Sequence, residues 1–277
     1  MKACRFTVTV VVFMLCVARA TDAQESTPST REMNLITWQE FHELVPAQIE
    51  TVLLPVGTLE PHGVLPNGSD NLAPEAMARE IAARVNALIA PTLNYGVTGS
   101  MKAFPGAFEI SEQAYRLFVA DILKGLAENK FKNIIVLNGH GGPQTAILRS
   151  VADAASEKYR VRILVINWWS LASEDIFAVF GENGGHAGNN ETAYVQAIVP
   201  QHVHPERYSK EMATAFPKGT SWHAVPFPSS IGLYEKGQGY PTFDEKQAKA
   251  YFKRVNDRVA ALIEEIIHKW DLAGLYR

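Results

Sequence analysis

The chain has 277 residues, of which 47% are apolar, and a formal net charge of −3. This apolar fraction is normal for a folded protein and excludes a disordered chain. The mild acidity, without a basic stripe, is untypical of a nucleic-acid-binding protein. Both cysteines, Cys4 and Cys16, lie near the N-terminus. The rest of the chain therefore contains neither a disulfide framework nor a cysteine metal site.

The first 20 residues are predicted to be a secretory signal peptide. Lys2 and Arg5 form its basic start, and the apolar run 6–17 is too short for a comfortable membrane span. Cleavage is expected after Ala20 or Ala23, which would place the mature protein in the periplasm or outside the cell. An uncleaved N-terminal anchor is the alternative.

Residues 21–31 are polar and are predicted to be a disordered leader, and residues 32–277 are expected to form one large domain. Apolar strands and amphipathic helices alternate along most of this domain, which predicts a doubly wound parallel sheet with helices on both faces. Strands are predicted at 49–56, 89–93, 132–138 and 161–168. Helices are predicted at 38–44, 72–88, 112–126, 145–159, 191–198 and 244–270. Beyond Trp169 the pattern is weak until residue 191.

Glu60, His62 and Asp70 lie between the first strand and the second helix. These side chains bind divalent metals when they are deprotonated. Because side chains alternate along an extended segment, Glu60 and His62 are expected to point to the same side. The Gly- and Pro-rich segment that follows can bend Asp70 back toward them. A solvated polar loop without a metal is the alternative.

His140 follows the third strand and lies between two glycines. The carboxyl ends of parallel strands meet along one edge of a sheet, so we expect His140 to join Glu60, His62 and Asp70 as a metal ligand. A histidine in this position without such neighbours is more typically structural.

His186 and Glu191 form a third cluster, just before and within the first turn of a predicted helix. Glu191 is a candidate metal ligand or general base, and its alternative role is a favourable charge at the helix N-terminus.

Other motifs are weaker. The glycine-rich segment around His140 lacks the lysine of a phosphate-binding P-loop. No Gly-x-Ser-x-Gly motif supports a serine hydrolase. Trp168 and Trp169 are core residues or the wall of an apolar pocket.

Taken in order, these motifs resemble those of the creatininase (creatinine amidohydrolase) family over about residues 52–200. The matching segments are Glu-x-His-Gly…Leu-Pro…Asp at 60–70, Tyr-Gly and Phe-Pro-Gly at 95–106, Asn-Gly-His-Gly-Gly at 138–142, His-Ala-Gly…Glu-Thr at 186–192 and, more loosely, Gly-x-Gly-x-Pro at 237–241. The resemblance implies a three-layer α/β/α fold with a mostly parallel sheet, a homo-oligomer that is commonly a hexamer, and two divalent metal ions (Zn, Mn or Fe).

The resemblance also implies a ligand set. Glu60, Asp70 and His140 would hold one ion, and His62 and Asp70 would hold the other, with Asp70 bridging. In creatininase a glutamate two residues after the equivalent of His140 completes the second site.

Gly142 stands at that glutamate's position in this chain. Glu191 is therefore the candidate replacement ligand, as well as a candidate catalytic residue. His186 matches the family position that shuttles the proton and is the second candidate catalytic residue.

The implied activity is hydrolysis of a C–N bond in a small cyclic or linear amide by a metal-activated water. An exported enzyme of this kind needs neither a nucleic-acid nor a membrane partner. The alternatives are a deformylase-type or other amide hydrolase of the same family, and a non-catalytic exported protein that binds a metal or a small ligand. Departures from the family pattern at Val64–Leu65, Met101 and Asn189 would lie near the substrate, so the substrate stays open.

Overall fold

The computed structural model describes residues 28–208 and 240–276, together with Met1 and Pro226. The predicted signal peptide beyond Met1, most of the predicted leader and the first part of the 237–241 motif lie outside the described residues. At the end of that leader, Arg31 donates a hydrogen bond to the carbonyl of Ala87 at 3.0 Å. Its own carbonyl accepts the N–H of Ile89 at 2.7 Å. Among the described residues, no helix combines the length and the apolar character that a membrane span requires.

In the described part of the chain, four parallel strands form one sheet in the order β2-β1-β3-β4. They are β1 (Thr51–Val56), β2 (Ala87–Ile89), β3 (Asn133–Asn138) and β4 (Arg162–Asn167). β1 and β3 are buried along their whole length, which explains their nearly unbroken apolar sequences. The chain goes from β1 to β2 on one side and then to β3 on the other. The topological switch point therefore lies at the carboxyl ends of β1 and β3, where ligands bind in open α/β sheets.

The helices of the described residues flank this sheet. They are α1 (Trp38–Leu44), α2 (Ser69–Ile81), α3 (Glu112–Glu128), α4 (Gly142–Tyr159), α5 (Trp168–Leu171), α6 (Ser173–Phe180), α7 (Asn189–Ile198) and α8 (Glu245–Leu272). Local signals start several of them, since Thr37 forms a capping box with Glu40, and Ser111 and Asp244 cap α3 and α8.

Alternate residues of each strand face opposite layers of helices. Val52 and Leu54 pack in one cluster with α3 and α4, whereas Leu53 packs in the other with α2, α7 and α8. This alternation follows from the period of two along a strand. The predicted three-layer α/β/α architecture with a parallel sheet is thus confirmed.

Two predictions of secondary structure were wrong. The predicted helix 72–88 begins earlier and ends at Ile81, because the chain then turns through Asn86, which has a φ of 45°. Residues Ala87–Ile89 pair with β1, so the second strand begins before the predicted 89–93. The weakly patterned stretch after Trp169 contains the helices α5 and α6, and α6 ends at Gly181 with a φ of 72°.

Candidate metal centre

The predicted ligands meet at the switch point between β1 and β3. Asp70 lies in the first turn of α2, and its backbone carbonyl packs against Gly57 and Gly139, the residues that directly follow β1 and β3. A Cβ on Gly57 would lie 2.2 Å from that carbonyl oxygen. Only glycine allows two strand ends and a helix N-terminus to approach this closely. The two glycines therefore set where the Asp70 carboxylate lies.

The carboxylate of Asp70 faces one histidine with each oxygen. Oδ1 lies 3.0 Å from Nε2 of His62, and Oδ2 lies 2.9 Å from Nδ1 of His140. Asp70, His62 and His140 are only 5%, 1% and 7% exposed, respectively. Each oxygen of the Asp70 carboxylate is therefore paired with a different histidine ring.

Glu60 connects two sets of potential ligands. Its carboxylate lies with Asp70 and His140 in one group and with His62 and His186 in a second, and the ligand atoms of each group lie within 4.8 Å of one another. The first group is the set that the family resemblance implies for one ion. The second differs from expectation because it includes His186, whose Nδ1 lies 3.6 Å from Oε1 of Glu60.

Buried ligand atoms without partners show that this site fits a cation. Within the described part of the chain, Oε2 of Glu60 is buried and makes no hydrogen bond, and Nε2 of His62 makes no well-aligned one although it lies 3.0 Å from Oδ1 of Asp70. Buried polar atoms are rarely left unpaired, so such atoms require a partner of another kind. A divalent ion held by carboxylate oxygens and imidazole nitrogens provides one.

The charges of the site support the same conclusion. Burial alone would lower the pKa of His62, but Asp70, Glu191 and Glu60 outweigh it and raise that pKa to about 10. Burial also opposes the charge on His140, yet hydrogen bonds to Asp70 and Glu60 raise its pKa well above the usual value. The clustered carboxylates therefore stabilise positive charge at the position of the two rings, and a divalent cation satisfies the same requirement.

Burial and hydrogen bonding both favour a neutral imidazole for His186. Its Nε2 donates to the carbonyl of Pro61 at 2.7 Å, which leaves Nδ1 unprotonated and facing Glu60. Burial, together with the neighbouring charge of His62, lowers the pKa of His186 to about 3. A neutral ring with a free Nδ1 can accept a proton or bind a metal ion.

Glu191 approaches the same site from the first turn of α7. Its Oε2 accepts the N–H of Ala187 at 2.6 Å and lies 3.7 Å from Nε2 of His62. Burial raises the pKa of Glu191 to about 7, although His62 opposes this shift. Ala187 has a φ of 50°, so Glu191 also stabilises an unfavourable backbone conformation beside His186.

Gly142 has a φ of 54°, a conformation in which a glutamate would be strained. The position that carries a glutamate in creatininase is thus shaped for glycine in this chain. Three acidic side chains of the described residues lie near His62, namely Glu60, Asp70 and Glu191. Of these, Glu191 comes from a segment distant in sequence.

Sequence reasoning missed an amide network beneath His140. Asn138 donates a hydrogen bond to the carbonyl of His140, and the carbonyl of Val97 lies beside Nε2 of the same histidine. Gln144 in turn accepts the N–H of Val97. One signal was available, because Gln144 is a polar residue on the helical stripe that continues through Ile147, Leu148 and Val151.

The two tryptophans have separate environments. Trp168 is buried and packs against Tyr194, with ring centroids 4.8 Å apart, so it is a core residue. Trp169 is half-buried, and its Cζ2 would lie 3.7 Å from a Cβ on Gly141. It therefore lies beside the loop that carries His140.

Comparison with known proteins gives consistent results. The profile of a family described as creatininase (creatinine amidohydrolase) matches residues 34–263. The chain is 27% identical over 201 residues to the creatinine amidohydrolase of Pseudomonas putida, covering 66% of this chain and 77% of that protein. It is also 27% identical over 254 residues to the 3-dehydro-scyllo-inosose hydrolase of Thermotoga maritima, covering 82% and 81%. A solved structure of the manganese form of creatininase has a TM-score of 0.72 at 23% identity, covering 85% of this chain and 98% of that one.

Proposed function

Because the chain belongs to the creatininase family, we propose that it is a metal-dependent amidohydrolase that cleaves a C–N bond in a small cyclic or linear amide. The observation that carries this proposal is the convergence of Glu60, His62, Asp70 and His140 in one buried cluster at the switch point. The similarity to a creatinine amidohydrolase supports the reaction class. It leaves the substrate open, since the second relative bears the name of a different hydrolase.

We also propose ligands for two divalent ions. Glu60, Asp70 and His140 would hold one, and His62, Asp70 and Glu191 would hold the other. When bound, such ions lower the pKa of a coordinated water toward neutrality and polarise a substrate carbonyl. Zinc and manganese are the first candidates, because solved creatininases are described as Zn–Zn and Mn forms.

The chain's own residues supply the proton transfers. Nδ1 of His186 lies at the edge of the cluster and would take up the proton that the attacking water loses, since the Nε2–H of the same ring is held by Pro61. The same ring then donates that proton to the leaving nitrogen, which is the usual role of a general acid. Burial of the carboxylates excludes water from the cluster and so strengthens each electrostatic interaction within it.

Metal analysis joined to a substrate panel tests this function. The protein is expressed in medium supplemented with zinc and manganese, its bound metal is measured, and the loaded protein is assayed with creatinine, other lactams, formamides and 3-dehydro-scyllo-inosose. We expect about two ions per chain and turnover of at least one amide. Absence of bound metal would overturn the proposal, while bound metal without any turnover would favour the non-catalytic binding protein.

We also propose that the protein is exported. A basic start at Lys2 and Arg5 followed by the apolar run 6–17 supports this. Mass spectrometry of the protein from a periplasmic fraction is expected to give an N-terminus at Thr21 or Gln24. An intact chain confined to the cytoplasmic fraction would contradict export, and an intact chain in the membrane fraction would indicate an uncleaved anchor.

The homo-oligomer implied by the family resemblance stays a prediction for this chain. Light scattering of the purified protein measures its mass directly, and the hexamer expected from the resemblance would be about six times the mass of one chain. A monomeric mass over the working concentration range would contradict the prediction without affecting the proposed chemistry.

A further inference from the structure

We propose that Gln144 is a positioning residue for the metal centre, and that it acts through the backbone of Val97 on the ring of His140. The proposal rests on the proposed metal-dependent function, because it concerns the orientation of one of the assigned ligands. Gln144 does not itself approach the carboxylates of the cluster.

Both ends of the Gln144 side chain are used, and the side chain is completely buried. Its Oε1 accepts the N–H of Val97 at 3.1 Å. Its Nε2 donates to Oδ1 of Asn138 at 3.2 Å and faces the carbonyl of Gly57 at 3.5 Å. Gln144 thus ties the Val97 loop to the carboxyl ends of β1 and β3.

The backbone carbonyl of Val97 in turn fixes the His140 ring. Nε2 of His140 lies 2.9 Å from the carbonyl oxygen of Val97, which can only accept a hydrogen bond. Nε2 therefore carries a proton and Nδ1 is directed at Asp70 and Glu60, at 2.9 and 3.2 Å. A histidine ligand typically depends on such a hydrogen bond from its other nitrogen for its tautomer and orientation.

Asn138 completes the support by holding the backbone of the same histidine. Its Nδ2 donates to the carbonyl of His140 at 2.7 Å, and its Oδ1 accepts the N–H of His140 at 3.2 Å. Asn138 also donates to Oδ1 of Asn167 at the end of β4, at 2.8 Å. The amide network therefore holds the main chain of His140 through Asn138 and its ring through Gln144 and Val97.

The local sequence makes room for this arrangement. A Cβ on Gly96 would lie 1.9 Å from Oε1 of Gln144, so the glutamine reaches Val97 only because residue 96 has no side chain. Gln144 also occupies the inward stripe of α4, where Ile147 and Leu148 are apolar core residues. An apolar side chain would pack there without any polar atom to satisfy, so packing alone does not explain a glutamine.

Cobalt binding provides a test with a readout other than activity. The full chain is stripped of metal and titrated with Co²⁺, and both its affinity and its visible absorption spectrum are recorded for the wild type and Gln144→Leu. The matched control is Gln196→Leu, a half-buried helical glutamine that donates one hydrogen bond to the carbonyl of Phe243 at 3.0 Å. Far-UV circular dichroism establishes that each variant is folded.

We expect Gln144→Leu to weaken Co²⁺ binding by about 10- to 100-fold, the usual effect of losing an outer partner of a ligand. Its Co²⁺ spectrum should shift because the His140 ring is no longer fixed, whereas Gln196→Leu should keep the wild-type affinity and spectrum. If Gln144→Leu does not fold, Gln144→Asn replaces it, since its shorter side chain does not reach Val97.

Equal affinities and spectra for Gln144→Leu and Gln196→Leu would overturn the positioning role while leaving the proposed function intact. Failure of the wild type to bind Co²⁺, Zn²⁺ or Mn²⁺ would be a different result, because it would overturn the proposed function and, with it, this role of Gln144.

Discussion

The backbone carbonyl of Asp70 lies where a side chain on Gly139 would begin, since a Cβ on that glycine would be 1.9 Å from the carbonyl oxygen. This contact seats the first turn of α2 directly on the end of β3. Because the obstructing atom belongs to the backbone, no change of rotamer relieves the clash. The position of the Asp70 carboxylate therefore depends on a glycine that is itself neither a ligand nor a catalytic residue.

We expect Gly139→Ala to lower the free energy of unfolding by about 1–3 kcal/mol, the usual range for overpacking a well-packed site. It should also weaken metal binding, because Asp70 has to move. Gly125→Ala is the matched control, since nothing lies within 4 Å of a Cβ at that position of α3. That change should stabilise the protein by up to about 1 kcal/mol through helix propensity. Urea unfolding measures both, and equal midpoints would contradict the prediction.

Asp70→Ala and His186→Ala are expected to differ in their effects, because Asp70 is the proposed metal ligand and His186 the proposed proton shuttle. Loss of Asp70 removes an oxygen from the neighbourhood of both His62 and His140, so occupancy of both ions should fall and activity should be lost. His186→Ala should leave the metal content near that of the wild type while slowing turnover by about 10²–10⁴-fold. Elemental analysis and kcat measure the two effects.

His186 also lies within ligand distance of Glu60 and His62, so the metal content of His186→Ala decides between its two roles. If that variant loses an ion while Asp70→Ala keeps both, the two assignments are reversed and His186 is the ligand.

Glu191→Gln is expected to lower the occupancy of one ion only. The glutamine side chain retains an acceptor for the N–H of Ala187, so the left-handed turn beside His186 stays supported. It loses the negative charge that faces His62. Metal titration should show one site weakened and the other unchanged. Two unchanged sites would show that Glu191 supports the turn and binds no metal.

Removal of metal by a chelator is expected to lower the melting temperature, because ions that bind only the folded state stabilise it by mass action. At a free ion concentration 100 times Kd this stabilisation is about 2.7 kcal/mol. Restoring Zn²⁺ or Mn²⁺ should reverse the shift in the wild type and in Glu264→Gln, which removes an exposed partner of Arg84 far along α8. Asp70→Ala should show no such response. A response in that variant equal to the wild type would place the stabilising ions elsewhere.

The sequence by itself determined the layered α/β architecture, because nearly unbroken apolar strands alternate with amphipathic helices and these periods are local properties of the chain. It also determined the candidate ligands Glu60, His62, Asp70 and His140, since each lies between a predicted strand and the next predicted helix. Local propensity failed at 82–89, where pairing with β1 outweighed the helical pattern.

Only the tertiary structure decided how these residues meet. The strand order β2-β1-β3-β4 places the switch point at the ends of β1 and β3, and strand order is not encoded in any local period. The direction of each Asp70 oxygen, the approach of His186 to Glu60 and the contact of Glu191 with Ala187 depend on packing between segments distant in sequence. The role of Gln144 also depends on tertiary packing, because this polar residue of α4 gains its hydrogen bond to Val97 only when the Val97 loop packs over the helix.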